Sequence, residues 1–188
     1  MVEVNYLRHH FKDIKDDILD EMADFIINEF KKSRRKKLLF VGIGTDKLIG
    51  DSVGCLTGTK LIERNVNLTI IGTLDNPVHA LNLNKTISEL KKTYPDYFVI
   101  ACDSAIAGCK DYFEGYVTVK NKPIKPGYGV GKELTNIGDV SISGIVTKET
   151  ENFMSLPIRL SLVNNISNAI VRILEQTEKK VRLEMEFA

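Results

Sequence analysis

Carboxylates gather at three places where an apolar run gives way to a polar loop. Residues 42–54 (GIGTDKLIGDSVG) carry Asp46 and Asp51, residues 72–83 (GTLDNPVHALNL) carry Asp75 and His79, and residues 101–108 (ACDSAIAG) carry Asp103 beside Ser104. Two carboxyl groups brought together cannot both ionise cheaply, so one pKa rises and the pair shares a proton. Such a pair can activate a water and protonate an amide, which is hydrolytic chemistry. Asp51 and Asp103 are the candidates for it, with Asp46, Asp75, His79 and Ser104 as candidate substrate contacts. A plainer role competes for each acid, because Asp favours helix N-caps and Asx-turns. The competition is strongest at Asp51, which the sequence puts at the opening of a helix. It is weaker at Asp103, in a loop of small residues directly after a strand.

Other chemistry is thinly supported. GIGTDKLIG has the first two glycines of a dinucleotide fingerprint, but Lys47 stands where the third is needed. PGYGVGKE, residues 126–133, ends in Gly-Lys like a phosphate-binding loop, yet Pro126 replaces its first Gly and Glu133 its Ser/Thr. The glycines better suit loops whose backbone closes on a substrate. Gly44 with Thr45, or the loop of Gly127, Gly129 and Gly131, offers N–H groups that could stabilise an oxyanion. Cys102 or Cys109 could pair with His79, but Cys102 closes an apolar strand and reads, like Cys55, as a small core residue. No G-x-S-x-G elbow is present.

The elements that must position these groups follow from periodicity. Phe11, Ile14, Ile18, Met22, Phe25, Ile26 and Phe30 recur at helical spacing and predict a first helix over 10–32, ending in the basic run KKSRRKK at 31–37. That run reads as a solvated helix end, since no aromatic residues are interleaved with it. Leu38–Ile43, Leu68–Ile71 and Tyr97–Cys102 are continuous apolar runs, as in strands buried on both faces of a parallel sheet. Helical stretches fall between them at Asp51–Arg64 and around Lys85–Lys92. Tyr116–Lys120 and Val140–Val146 predict later strands, Val163–Leu174 a closing helix, and Val181–Phe187 an edge strand or frayed tail. The alternation means α/β architecture with helices on both faces of a mostly parallel sheet, its sites beyond the carboxyl ends of the strands.

The chain has 188 residues, 26 Lys+Arg against 25 Asp+Glu, and a net charge of +1. This length suits one domain spanning 1–188. The balance offers no global field for nucleic acid or an anionic membrane, so neither is expected as a partner. Three Cys make no disulfide framework, the N-terminus has no apolar leader, and no apolar run approaches a membrane span. A cytoplasmic protein with reduced thiols is expected.

Taken in order, GIGTDKLIGDSVG, GTLDNPVHALNL, ACDSAIAG and KPGYGVGKEL resemble the YyaC-type sporulation proteins, a family regarded as spore proteases by homology. The likeness runs from about the first strand to the closing helix. That family is similar to the germination protease, which degrades small acid-soluble spore proteins, and in fold to the hydrogenase maturation endopeptidases. The resemblance implies a three-layer α/β/α fold, with Asp51 and Asp103 in the acidic positions of a two-aspartate site. It also implies a loop closed by Gly108, and a Pro126–Gly131 segment like that of the germination protease. Hydrogenase maturation enzymes grip nickel with a further His in their C-terminal half. No His follows His79 here, so the resemblance implies neither metal nor cofactor.

Three functions stay open on these residues. The first is an endopeptidase of sporulation or germination, with Asp103 as base on a water and Asp51 holding the shared proton. Its substrate would be a protein or peptide such as a small acid-soluble spore protein, in the mother cell or forespore cytoplasm, with an oligomer possible. The second is a metal-assisted peptidase using Asp51, Asp103 and His79 as ligands. The third is a non-catalytic sporulation protein that keeps the fold as a binding module.

Overall fold

The computed structural model describes residues 5–107, 113–126, 135–148 and 157–186. In chain order they form β1 (Tyr6–His10), α1 (Asp16–Ser33), β2 (Lys37–Gly42), α2 (Val53–Glu63), β3 (Thr69–Ile71), α3 (Leu83–Thr93), β4 (Tyr97–Ala107), β5 (Tyr116–Lys120), β6 (Val140–Lys148) and α4 (Leu160–Glu186). One six-stranded sheet has the order β1-β5-β6-β4-β2-β3. The pairings β2–β3, β2–β4 and β4–β6 are parallel, whereas β5–β6 and β1–β5 are antiparallel. The expected mostly parallel α/β sheet with helices on both faces is observed.

The apolar runs become strands because both faces of the sheet are covered. Leu38 and Phe40 of β2, with Ile100 and Cys102 of β4, enter one core with Met22, Ile26 and Phe30 of α1, Leu61 of α2 and Ile166 and Ile170 of α4. The alternate residues Leu39, Val41 and Ala101 enter a second core with Leu83, Ile87 and Leu90 of α3. Period-two alternation within a continuous apolar run thus feeds two cores at once.

Close backbone approach sets α2 against the carboxyl end of β2. A Cβ on Gly54 would lie 2.7 Å from the Cys102 carbonyl oxygen and would collide with the backbone of Ile43. Gly72, at φ +84°, lies so near Gly42 that a side chain there would overlap its carbonyl. Only glycine permits this contact of helix, strand and loop.

Four sequence expectations are corrected. Residues 6–10 form β1 rather than the start of a helix over 10–32, because their backbone pairs with β5 in the register Arg8↔Thr118; α1 begins only at Asp16. The basic run is split: α1 ends at Ser33, Arg34 takes the left-handed conformation at φ 57°, and Lys37 already belongs to β2. β4 runs on to Ala107, because β6 pairs with its second half as far as Ala107↔Lys148. Residues 181–186 continue α4 instead of forming a strand, with Val181 buried. Leu, Glu, Arg and Met are good helix formers, and Lys180 bridges to Asp20 (2.9 Å) and Asp24 (2.8 Å) of α1.

Candidate active site

Beyond the end of β2, the chain is tied on two sides. The Ile43 N–H donates to the Cys102 carbonyl (2.7 Å), and the Gly44 N–H donates to the Val78 carbonyl (2.7 Å). Gly44 has φ +123°, and a Cβ there would overlap the Asp51 carbonyl oxygen, so the turn returns directly onto Asp51. Residues Ile49–Asp51 form a single 3-10 turn packed against β4 and α4, and α2 starts only at Val53. Asp51 therefore does not open the helix, and neither it nor Ser52 caps α2 with its side chain. Instead the Thr45 N–H donates to both the Asp51 carbonyl and its Oδ2, each at 3.1 Å. Packing and this one bond orient the carboxyl into the fold.

Asp103 lies inside β4, opposite Ser143 of β6, and not in a loop after the strand. The Ser104 N–H donates to its Oδ1 (2.7 Å). Burial pushes the Asp103 carboxyl well above the usual carboxylate range, and the nearby charge of Asp51 pushes it further. Burial likewise raises Asp51, to about 6, against the lowering effect of the Thr45 N–H. The two acids are thus near enough for the Asp51 charge to act on Asp103, while burial alone raises Asp51. The Ser104 hydroxyl is buried and has no hydrogen-bond partner among the described residues. Cys55 and Cys102 are buried thiols with raised pKa values, which suits core residues rather than nucleophiles.

The remaining candidates divide. Thr45 is half-buried beside Asp51, while Asp46 is exposed. The Gly44 and Thr45 N–H groups are already engaged, as above, so the expected oxyanion role for them is corrected. Asp75 and His79 do not converge on the acids. They line a separate cleft of about 550 Å³ beside the end of β3, to which neither Asp51 nor Asp103 contributes. Sequence reasoning missed the cleft, whose other wall is a face of α3 formed only by tertiary packing. Gly108, Cys109, Gly127, Gly129 and Gly131 lie outside the described residues. Among the described residues no group of three or more His, Cys, Asp or Glu side chains could hold a metal ion, so His79 does not complete a ligand set with the acids. No described helix is long and apolar enough to cross a membrane.

The family described as "Protein of unknown function (DUF1256)" matches residues 10–173. "Uncharacterized protein YyaC" of Bacillus subtilis (strain 168) is 35% identical over 162 residues, covering 85% of this chain and 78% of that protein. The crystal structure of a NiFe hydrogenase maturation protease, HycI from Thermococcus kodakarensis KOD1, overlaps 79% of this chain and 98% of its own at 16% identity and a TM-score of 0.46.

Proposed function

The chain belongs to the DUF1256 family, and from that premise we propose that it is an endopeptidase with a two-aspartate site, acting in sporulation or germination. What supports this reading is the nearness of Asp51 and Asp103, two carboxyls on separate segments, each raised by burial, with the Asp51 charge raising Asp103 further. The motif resemblance to spore proteases supports it. The greater desolvation of Asp103 assigns it the shared proton near neutral pH and leaves Asp51 as the base, the reverse of the division expected from sequence. In the first step Asp51 takes a proton from a water whose oxygen bonds to the scissile carbonyl carbon. Asp103 gives its proton to the carbonyl oxygen, which yields a neutral gem-diol. Collapse returns one hydroxyl proton to Asp103, passes the Asp51 proton to the leaving nitrogen, and breaks the C–N bond.

Purified protein incubated with small acid-soluble spore proteins or a peptide library, beside Asp51→Asn and Asp103→Asn, tests the proposal. Cleavage by the unaltered protein and its loss, by at least about 10³-fold, in either folded variant is expected. Cleavage that survives both substitutions refutes the mechanism. Loss of activity with a chelator, restored by a divalent ion, would replace it with the metal-assisted reading. A second reading, a binding module without turnover, is favoured by one observation: the Gly44 and Thr45 N–H groups, obvious oxyanion donors, are both occupied. No cleavage of any substrate by folded protein would support it.

A further inference from the structure

The cleft at the sheet edge combines features that suit a cationic side chain on an aliphatic stem. β3 is an edge strand, and Ile71 at its end, with Leu90 of α3 and the Tyr94 ring just beyond that helix, supplies apolar wall. Asp75, His79 and Glu89 supply the polar groups, and no Lys or Arg lines the space. Asp75 takes part in no side-chain hydrogen bond or ion pair among the described residues. Among the described residues Glu89 meets only Lys85, at 3.8 Å with both side chains mostly exposed, a weak contact that is readily exchanged. The Leu81 N–H donates to His79 Nδ1 (3.3 Å), which leaves Nε2 as the ring donor. The Asn82 side chain accepts from the His79 N–H (2.8 Å) and donates to the Pro77 carbonyl (2.9 Å), so this wall is fixed before any ligand arrives.

The cleft follows α3 from Asn82 to Tyr94, roughly 18 Å along a helix, or about five residues of extended chain. Its wall is also joined to the acid site. Val78, which lines the cleft, bridges to Ile43 and accepts from Gly44, and the loop then returns to Asp51.

We propose that this cleft is a recognition subsite for a lysine or arginine side chain of an extended peptide. The stem would lie on the apolar wall, the charge would face Asp75 or, farther along α3, Glu89, and His79 Nε2 would donate to a peptide carbonyl. The link to substrate rests on the endopeptidase reading, whereas the binding does not.

Three fluorescent peptides of one extended sequence, carrying Lys, norleucine or Glu at the central position, provide the probe. Their binding to the Asp51→Asn/Asp103→Asn protein, which cannot consume them, is read by fluorescence polarisation. The lysine peptide is expected to bind about tenfold tighter than the other two. Asp75→Asn and Glu89→Gln together are expected to remove that preference, and one of them singly to remove a several-fold share of it. Equal binding of the three peptides, no binding of any, or a lysine preference untouched by both substitutions overturns the proposal. Preferential binding without cleavage by the unaltered protein would leave the subsite standing and reject the peptidase. Cleavage without a basic preference would do the opposite.

Discussion

Asp103 sits in a strand flanked by β2 and β6, whereas Asp75 sits in a loop beyond an edge strand of three residues. Around the first, glycines bring backbones into contact and the carboxyl is desolvated. Around the second, side chains are exposed and their charges are hydrated. The acid corner is therefore a place where small changes are felt through the whole core, and the cleft one where chemistry can vary with little effect on folding. Rigid positioning suits proton transfer, and a tolerant rim suits selection among ligands.

The largest effect should come from filling the corner. Gly54→Ala places a methyl against the backbone of Ile43 and Cys102, and a loss of about 3 kcal/mol by urea unfolding is expected. A loss under about 1 kcal/mol would mean that α2 can move off β2. The pH dependence of stability is a sharper probe. Asp51 is held at about 6 in the folded protein against 3.8 ordinarily, so the folded state binds its proton more tightly than the unfolded chain. Stability from this group is highest below about pH 4, falls as pH rises through about 6, and then levels off. Asp51→Asn should accordingly stabilise the protein at pH 8, by on the order of 1 kcal/mol once the residual hydration of a mostly buried carboxyl is allowed for. It should give no gain at pH 4, and an equal effect at both would break the desolvation argument.

Ser104→Ala removes a buried hydroxyl that has no partner among the described residues, so a rise in stability of about 1 kcal/mol is expected. A lowered melting temperature would show that the hydroxyl is satisfied within the fold. The smallest effects belong to the cleft. Asp75→Asn and Glu89→Gln should each shift unfolding by no more than about 0.5 kcal/mol, and a larger change would assign these acids to the scaffold.

What could be read from the sequence was whatever leaves a local pattern. β2 and the first half of β4 were legible because burial on two faces demands unbroken apolar runs. The second half of β4 was not, since CDSAIA is small and mixed, and its extended form comes from pairing with β6. β1 was hidden for the same reason: Tyr6–His10 is polar, and only β5, more than a hundred positions away, makes it a strand. Residues 181–186 misled because their alternation mimics a strand, while contacts from α4 to α1, such as Lys31 with Glu184, hold them helical. The nearness of Asp51 to Asp103 could be anticipated from the apparent end of an apolar run, although Asp103 itself lies inside β4. The separation of Asp75 and His79 into their own cleft could not, because it depends on where α3 comes to rest.

The distant partner of β1 also bears on how the chain is made. β1 is synthesised before residues 116–120, with which it pairs, and α4, which packs on the sheet, follows later still. Native contacts so remote close slowly, so the nascent polypeptide must carry Tyr6–His10 unpaired until residues 116–120 have been made. An edge strand left waiting is an invitation to pair with a neighbouring chain. Arg8, near the middle of that segment, puts a charge on it and makes such a misplaced match less comfortable.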